Sequence, residues 1–200
     1  GVGRGVQPVV RGVGCWDAGA MGYLIRPVKA DEWKRLRELR LAALADPVAR
    51  IAFNESFDKV AAFPDEVWRR RAARSDEDRD PLTIIGEAPD GSWGGMVVVL
   101  VEREGADEGD GDEPWAHIVG VYVRPEHRGT GLARELFAAA VEWAWSRSEP
   151  AVERVRLWVH EENERALALY RALGFVETGR TMTDPKDGTA IEREMALERA

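Results

Sequence analysis

A glycine-bearing turn between an apolar strand and a helix is the segment of this sequence with the clearest chemical potential. The strand residues Val121–Val123 are followed by Pro125, and the turn contains Arg128, Gly129 and Gly131. Glycine lets backbone N–H groups approach a ligand closely, and the N–H groups of a helix's first turn favour phosphate oxygens. The junction therefore predicts a binding site for a phosphorylated ligand.

The spacing of this turn differs from two common phosphate-binding motifs. No Gly-Lys-Ser or Gly-Lys-Thr follows it, and the three-glycine dinucleotide fingerprint is absent. Instead, Gly131 follows Arg128 after two residues, and the small residue Ala133 comes after one more. This pattern resembles the pyrophosphate loop of the GNAT superfamily of acyl-CoA-dependent N-acetyltransferases.

A second block further along the chain supports the resemblance. Asn163 is followed by Ala166, Tyr170, Gly174 and Phe175, which are similar to the other hallmark of the family. The two blocks stand in the family's order and cover roughly residues 116 to 176, less than a third of the chain. The resemblance implies that acetyl-CoA is the co-substrate.

The resemblance also implies which residues bind that co-substrate. Backbone amides of the turn would hold the diphosphate, and the backbone of the preceding strand would pair with the pantetheine arm. The candidates are Val121, Tyr122, Val123, Arg128, Gly129, Thr130, Gly131, Leu132, Ala133, Arg134, Asn163 and Tyr170. Two alternatives stay open: Asn163 could serve only as a helix cap, and the strand residues could serve only as core.

Tyr170 is the candidate general acid. Transfer of an acetyl group to an amine expels a thiolate, which a nearby hydroxyl can protonate. A phenol has a pKa of about 10 against roughly 8.5 for a thiol, so it is still protonated at neutral pH. The alternative is a helix tyrosine that only packs on the core.

His117 is the candidate general base, since imidazole titrates at about pH 6.5. It lies four residues before Val121, on a strand where some family members place a basic carboxylate. A purely structural histidine, a water chain, or Glu87 as the base are the alternatives. No Ser-His-Asp or Cys-His arrangement can be argued, so we expect no covalent enzyme intermediate.

The bulk composition limits the class of protein. Two hundred residues that are 44% hydrophobic suit one domain, and a net charge of −8 disfavours nucleic acid as a partner. A single cysteine excludes an internal disulfide, and the three histidines show no metal-ligand spacing. No apolar run approaches the roughly 20 residues that cross a bilayer, and residues 1–20 lack a signal core. We expect a cytoplasmic, metal-free protein without a membrane anchor, in which a flexible tail (1–20) precedes one N-acetyltransferase domain (21–200).

Apolar periodicity and turn residues predict the elements that position these groups. Strands are expected over 23–28, 82–87, 95–102, 115–123, 155–159, 175–181 and 191–197, and about four helices over 31–46, 65–74, 131–146 and 162–173. The fold class is therefore α/β with a mixed, mostly antiparallel sheet. The strand-helix-strand unit from Trp115 to Val159 supplies a parallel pair, and the resemblance implies that this pair splays apart to admit the cofactor.

The predicted function is transfer of an acetyl group from acetyl-CoA to a small-molecule or peptide amine in a ternary complex. Antibiotics, polyamines, amino acids and protein N-termini all stay open as acceptors, and a homodimer is allowed because dimers are common in the family. The loop 51–63, with Phe53 and Phe57, and the final hairpin with Met182 lie where the family builds its acceptor pocket, although core packing is the alternative. The rival function is an acyl-CoA sensor that has lost turnover.

Overall fold

The computed structural model describes residues 22–49, 55–103, 113–184 and 188–200. The expectations for the tail 1–20, for Ile51 and Phe53, and for the acidic loop up to residue 112 fall outside the described residues. The same holds for Pro185 and Asp187 in the final hairpin.

Seven strands and five α-helices lie wholly within the described residues. The strands are β1 (Leu24–Pro27), β2 (Leu82–Glu87), β3 (Trp93–Glu102), β4 (Trp115–Val123), β5 (Arg154–His160), β6 (Val176–Thr183) and β7 (Ile191–Glu198). The helices are α1 (Trp33–Ala45), α2 (Phe57–Ala61), α3 (Asp65–Asp76), α4 (Leu132–Trp145) and α5 (Glu164–Ala172), and 3-10 turns at Ala30–Glu32 and Pro125–His127 precede α1 and α4. The predicted α/β class and the order of the strands are confirmed.

One short helix departs from the sequence expectation. Phe57 was expected in a loop, but α2 forms there because Ser56 caps it: the Ser56 hydroxyl accepts a hydrogen bond from the Lys59 N–H at 3.3 Å. A five-residue helix shows too little apolar periodicity to be recognised from the sequence. Among the described residues, every helix falls short of the length and apolar character that a bilayer-spanning segment needs.

All seven strands form one sheet in the order β1-β2-β3-β4-β5-β7-β6. Every neighbouring pair is antiparallel except β4 and β5, which α4 connects. These two fully described strands pair only at Ala116 with Val155 and at His117 with Arg156, although β4 continues to Val123 and β5 to His160. They therefore diverge after His117, which confirms the splayed parallel pair.

Apolar clusters on the two faces of the sheet hold the helices in place. Leu136 and Phe137 of α4 pack with residues such as Leu157 under α4 and α5. On the opposite face, Leu39 of α1 and Trp68 of α3 pack against further strand residues. The sheet is thus a middle layer, and the divergence of β4 and β5 opens a passage between the two faces.

A β-bulge in β4 lies at the start of this passage. Met96 and Val98 of β3, two residues apart, pair with Tyr122 and Val119 of β4, three residues apart. The extra residue is accommodated at Gly120, whose φ of +62° is in the left-handed region that glycine adopts without strain.

The bulge reverses the alternation of side chains along β4. Ile118 and Val121 both pack in the cluster under α4, although they are separated by an odd number of positions. Tyr122 packs in the opposite cluster. Since neighbouring strand residues face opposite sides, His117 lies on the face covered by α1 and α3, whereas Val121 lies on the face covered by α4.

Candidate active site

The turn before α4 presents a series of unused backbone donors. Within the described residues, no protein acceptor meets the N–H groups of residues 129–134, and the first bond of the helix runs from the Glu135 N–H to the Gly131 carbonyl at 3.2 Å. Gly129 and Gly131 have φ values of +76° and +85°. A Cβ added at either glycine would meet no atom within 4 Å. The turn therefore combines available donors, open space and the positive end of the α4 dipole, which together suit phosphate oxygens.

Arg128 is bound to the protein itself. Its Nη2 donates to Asp46 Oδ2 at 2.7 Å, its Nε donates to the Val123 carbonyl at 3.1 Å, and its backbone N–H donates to the Pro125 carbonyl at 3.2 Å. Arg128 thereby fastens the turn to the end of α1, where Asp46 is the C-cap residue. No local sequence pattern indicates this contact, because Asp46 precedes Arg128 by 82 residues.

Asp46 is held as a carboxylate by three donors. Burial opposes its ionisation, but hydrogen bonds from the Val48 N–H, Arg128 and the Tyr122 hydroxyl outweigh burial and lower the pKa of Asp46. The Asp46 side chain is largely buried, with 7% of its surface exposed to solvent. The Arg128 side chain is more accessible, at 30%. Asp46 consequently neutralises part of the positive charge of Arg128.

A cavity of about 970 Å³ runs from this turn through the gap between β4 and β5. It reaches the face of the sheet under α1 and α3, where Leu36 and Trp68 line it. All the residues predicted for the site line this cavity except Thr130, whose hydroxyl donates to the His127 carbonyl at 2.6 Å. Phe57 and the alternative base Glu87 are not among the lining residues, whereas Met182 is.

Three of the predicted cofactor contacts have structural roles as well. Asn163 caps α5, because its Oδ1 accepts the Ala166 N–H at 3.2 Å, and it lines the cavity as well. Val121 and Val123 pack against the core under α4, while beyond His117 the edge of β4 that faces β5 pairs with no strand of the described part of the chain. The side chains of these strand residues can therefore pack in the core while their backbone groups are available to a ligand.

Tyr170 stands between the core and the cavity. Its ring packs on Phe137 with a centroid separation of 5.1 Å and on Phe175 at 6.3 Å. The residue also lines the cavity, and no described residue hydrogen-bonds to its hydroxyl. Burial raises the pKa of Tyr170 to about 12, so the phenol is a proton donor at neutral pH.

His117 is paired with a carboxylate that the sequence analysis did not identify. Its Nδ1 donates to Glu102 Oε1 at 2.7 Å, and both side chains line the cavity. The hydrogen bond from His117 lowers the pKa of Glu102 against the opposing effect of burial. A carboxylate on Nδ1 leaves the lone pair on Nε2, the arrangement that a general base requires.

The register of the hairpin could have revealed Glu102. Leu100 pairs with His117 in the β3–β4 ladder, and Glu102 lies two positions further along β3, on the same face. No cluster of three or more His, Cys, Asp or Glu side chains that could hold a metal occurs within the described ranges.

Three comparisons place the chain among known proteins. It aligns with a mycothiol acetyltransferase from Thermobispora bispora at 42% identity over 38% of this chain and 23% of that protein. The curated relatives it matches align over roughly a quarter to a third of their own length. Among solved structures, a GNAT-family acetyltransferase from Streptococcus pneumoniae superposes with a TM-score of 0.69 at 18% identity, covering 89% of this chain and 99% of that one.

A further structure has a ligand bound. NAA60 from Arabidopsis thaliana in complex with acetyl-CoA superposes with a TM-score of 0.63 at 17% identity, covering 88% of this chain and 99% of that one. These structural likenesses concern the fold. The profile of the Acetyltransferase (GNAT) family matches residues 41–175, which is more than half of the chain and includes the turn, most of the residues that line the cavity and both catalytic candidates. The protein therefore belongs to the GNAT acetyltransferase family.

Proposed function

We propose that this protein transfers an acetyl group from acetyl-CoA to a primary amine, by direct attack of the amine in a ternary complex. The observation that carries the proposal is the cavity between β4 and β5. It joins the donor-rich turn at one end to His117 and Glu102 on the other face of the sheet. A long cofactor can thus enter from one side and an acceptor from the other.

The residues along the cavity fit coenzyme A. The unused N–H groups of residues 129–134 offer donors to a diphosphate, and the open space at Gly129 and Gly131 leaves room for it. The unpaired edge of β4 beyond His117 offers backbone donors and acceptors to the amide groups of a pantetheine arm, as a strand edge does to an added peptide. Asn163 and Tyr170 lie along the same cavity.

The proposed chemistry needs a base and an acid. His117 Nε2 takes a proton from the acceptor ammonium, while Glu102 holds the imidazole through Nδ1. Tyr170 donates its phenolic proton to the departing thiolate. Backbone N–H groups at the splayed part of β4 stabilise the negative charge that develops on the thioester oxygen.

Calorimetry and thiol release test this proposal together. We expect acetyl-CoA to bind and a panel of primary amines to include acceptors that release free thiol. For a good acceptor, Tyr170→Phe should lower kcat by roughly 10²- to 10⁴-fold with little change in KM for acetyl-CoA, because only proton transfer is affected. Binding without release from any amine would instead support the acyl-CoA sensor, and absence of binding would refute both functions.

A further inference from the structure

Three arginines, Arg40, Arg71 and Arg74, and two glutamates, Glu55 and Glu102, line the part of the cavity next to α1 and α3. Glu55 is the carboxylate between Arg40 of α1 and Arg71 of α3. Arg40 Nη2 donates to Glu55 Oε2 at 3.1 Å, with the Arg40 side chain only 13% exposed. One carboxylate therefore faces two guanidinium groups. Glu102, the other acid toward this end, is bound to His117.

Arg71 makes no direct ion pair with a described carboxylate, and Glu55 acts on it only at longer range. Its guanidinium carbon lies 5.2 Å from the ring centroid of Trp68 and 5.3 Å from that of Phe63. Among the described residues no carboxylate oxygen lies within 4.0 Å of Arg71. The rings support the cation by cation–π contact, but they leave its N–H donors available to an anion in the cavity.

These arginines lie close to the place where the acetyl group would be transferred. A Cβ built on Gly120 would stand 3.5 Å from Arg40 Nη1, so this guanidinium lies over the bulge of β4. His117 is three residues earlier on the same strand and on the same face. An anion at the arginines and an amine at His117 can therefore belong to one small molecule.

The walls between these charged groups are apolar. Leu36, Trp68, Met96, Val98 and Leu100 line this part of the cavity. In apolar surroundings a carboxylate is stable only when charged donors form hydrogen bonds with it. The arginines would repel a second positive charge on the acceptor. The arrangement suits an apolar side chain flanked by a carboxylate and an amine.

We propose that the acceptor is an amino acid with an apolar side chain, whose carboxylate binds Arg71 and Arg40 while its amine faces His117. This inference rests on the proposed acetyl transfer and specifies its substrate class. It excludes polyamines as preferred acceptors, because their additional ammonium groups would meet the two guanidinium groups.

Pairs of amino acids and their amides test the inference directly. Thiol release from acetyl-CoA is measured with leucine against leucinamide, with phenylalanine against phenylalaninamide, and with spermidine. The amide keeps the amine and the side chain but removes the anion. We expect kcat/KM to be roughly 10- to 100-fold higher for each acid than for its amide, as charge-assisted hydrogen bonds would give. The amine of an amino acid amide is less basic than that of the free amino acid, so a larger fraction of it is unprotonated and able to attack. A site that does not bind the carboxylate would therefore acetylate the amide faster.

Substitution of Arg71 separates binding of the anion from general damage. Arg71→Gln should raise KM for leucine by roughly tenfold or more and leave KM for leucinamide within about twofold. Arg71→Lys should recover part of the loss, because it restores the charge without the planar fork. Arg70→Gln, on the exposed side of the same helix, is the matched control and should change neither value. Equal melting temperatures of the variants establish that the fold is kept.

The outcomes distinguish this inference from the proposed transfer. Faster turnover of leucinamide or spermidine than of leucine would overturn the amino acid assignment and leave the transferase intact. An equal effect of Arg71→Gln on leucine and leucinamide would overturn it as well. Failure of every amine to release thiol would refute the transfer itself, and the acceptor assignment with it.

Discussion

The contact between Arg128 and Asp46 allows a sharp test of how the turn before α4, the proposed diphosphate site, is positioned. Asp46→Asn keeps the shape of the side chain and the Oδ1 atom that accepts the Val48 N–H at 3.0 Å. It replaces Oδ2, which accepts from Arg128 at 2.7 Å and from the Tyr122 hydroxyl at 3.3 Å, with an NH₂ group. Two donors would then face each other at Arg128, and the Tyr122 hydroxyl would have to reorient and accept instead of donating.

The expected cost follows from these contacts. A hydrogen bond to a charged group contributes about 1.5–3 kcal/mol. Solvent screens this pair, because Arg128 is 30% exposed and the neighbours Ala45 and Pro47 are exposed. We therefore expect Asp46→Asn to lower the free energy of unfolding by about 1–2 kcal/mol, which corresponds to roughly 2–8 °C in melting temperature for a chain of this size. KM for acetyl-CoA should rise more than kcat falls, since the substitution misplaces a binding turn.

The effect should also depend on pH. The folded state lowers the pKa of Asp46, so the contribution of the carboxylate is fully present above its unfolded pKa of about 3.9. The contribution is lost as pH falls through the folded pKa. Urea denaturation of wild type and Asp46→Asn should show the full difference at pH 7 and a shrinking one below about pH 4.

Glu38→Gln is the matched control for this measurement. Glu38 is 75% exposed and stands 3.7 Å from Arg124, so its loss should cost less than about 0.5 kcal/mol. Equal stability of Asp46→Asn and wild type at pH 7 would refute the role given to the ion pair. A difference that persists undiminished at about pH 3 would refute its electrostatic origin.

Three further predictions concern the turn, the base and the core. Gly131→Ala should cost about 1–2 kcal/mol in urea denaturation because φ is +85°, and calorimetry should show weaker binding of acetyl-CoA. His117→Ala should lower kcat by roughly 10²- to 10⁴-fold, with partial rescue by added imidazole in the thiol-release assay; absence of both effects would remove His117 as the base. Leu136→Ala, at a fully buried position of α4, should lower stability by about 2–5 kcal/mol in the same denaturation measurement and leave KM for the acceptor unchanged.

The sequence predicted the sheet and the turn because these features depend on local signals. Alternating apolar residues identify strands, and Gly129 and Gly131 identify a turn that requires positive φ. The contacts that fix the site could not be predicted in this way. Asp46 reaches Arg128 only through the tertiary fold.

The bulge at Gly120 was likewise hidden from the sequence. A single glycine in a strand is compatible with a regular strand, a bulge or a close backbone approach. Only the ladder with β3 shows that an extra residue is inserted there and that His117 and Val121 face opposite sides. Glu102 became a partner of His117 through the same pairing, since neighbours across strands are set by register.

The inserted residue in β4 also affects how this protein can diversify. His117 and Val119, before Gly120, lie on the face of the proposed acceptor site, whereas Val121 and Val123, after it, lie on the face of the proposed cofactor site. Substitution of Val119 can therefore change the face of the proposed acceptor site while Val121 and Val123 are left unchanged. Deletion of one residue at the bulge would restore regular alternation and place His117 and Val121 on the same face of the sheet, so the two proposed sites could no longer share this strand.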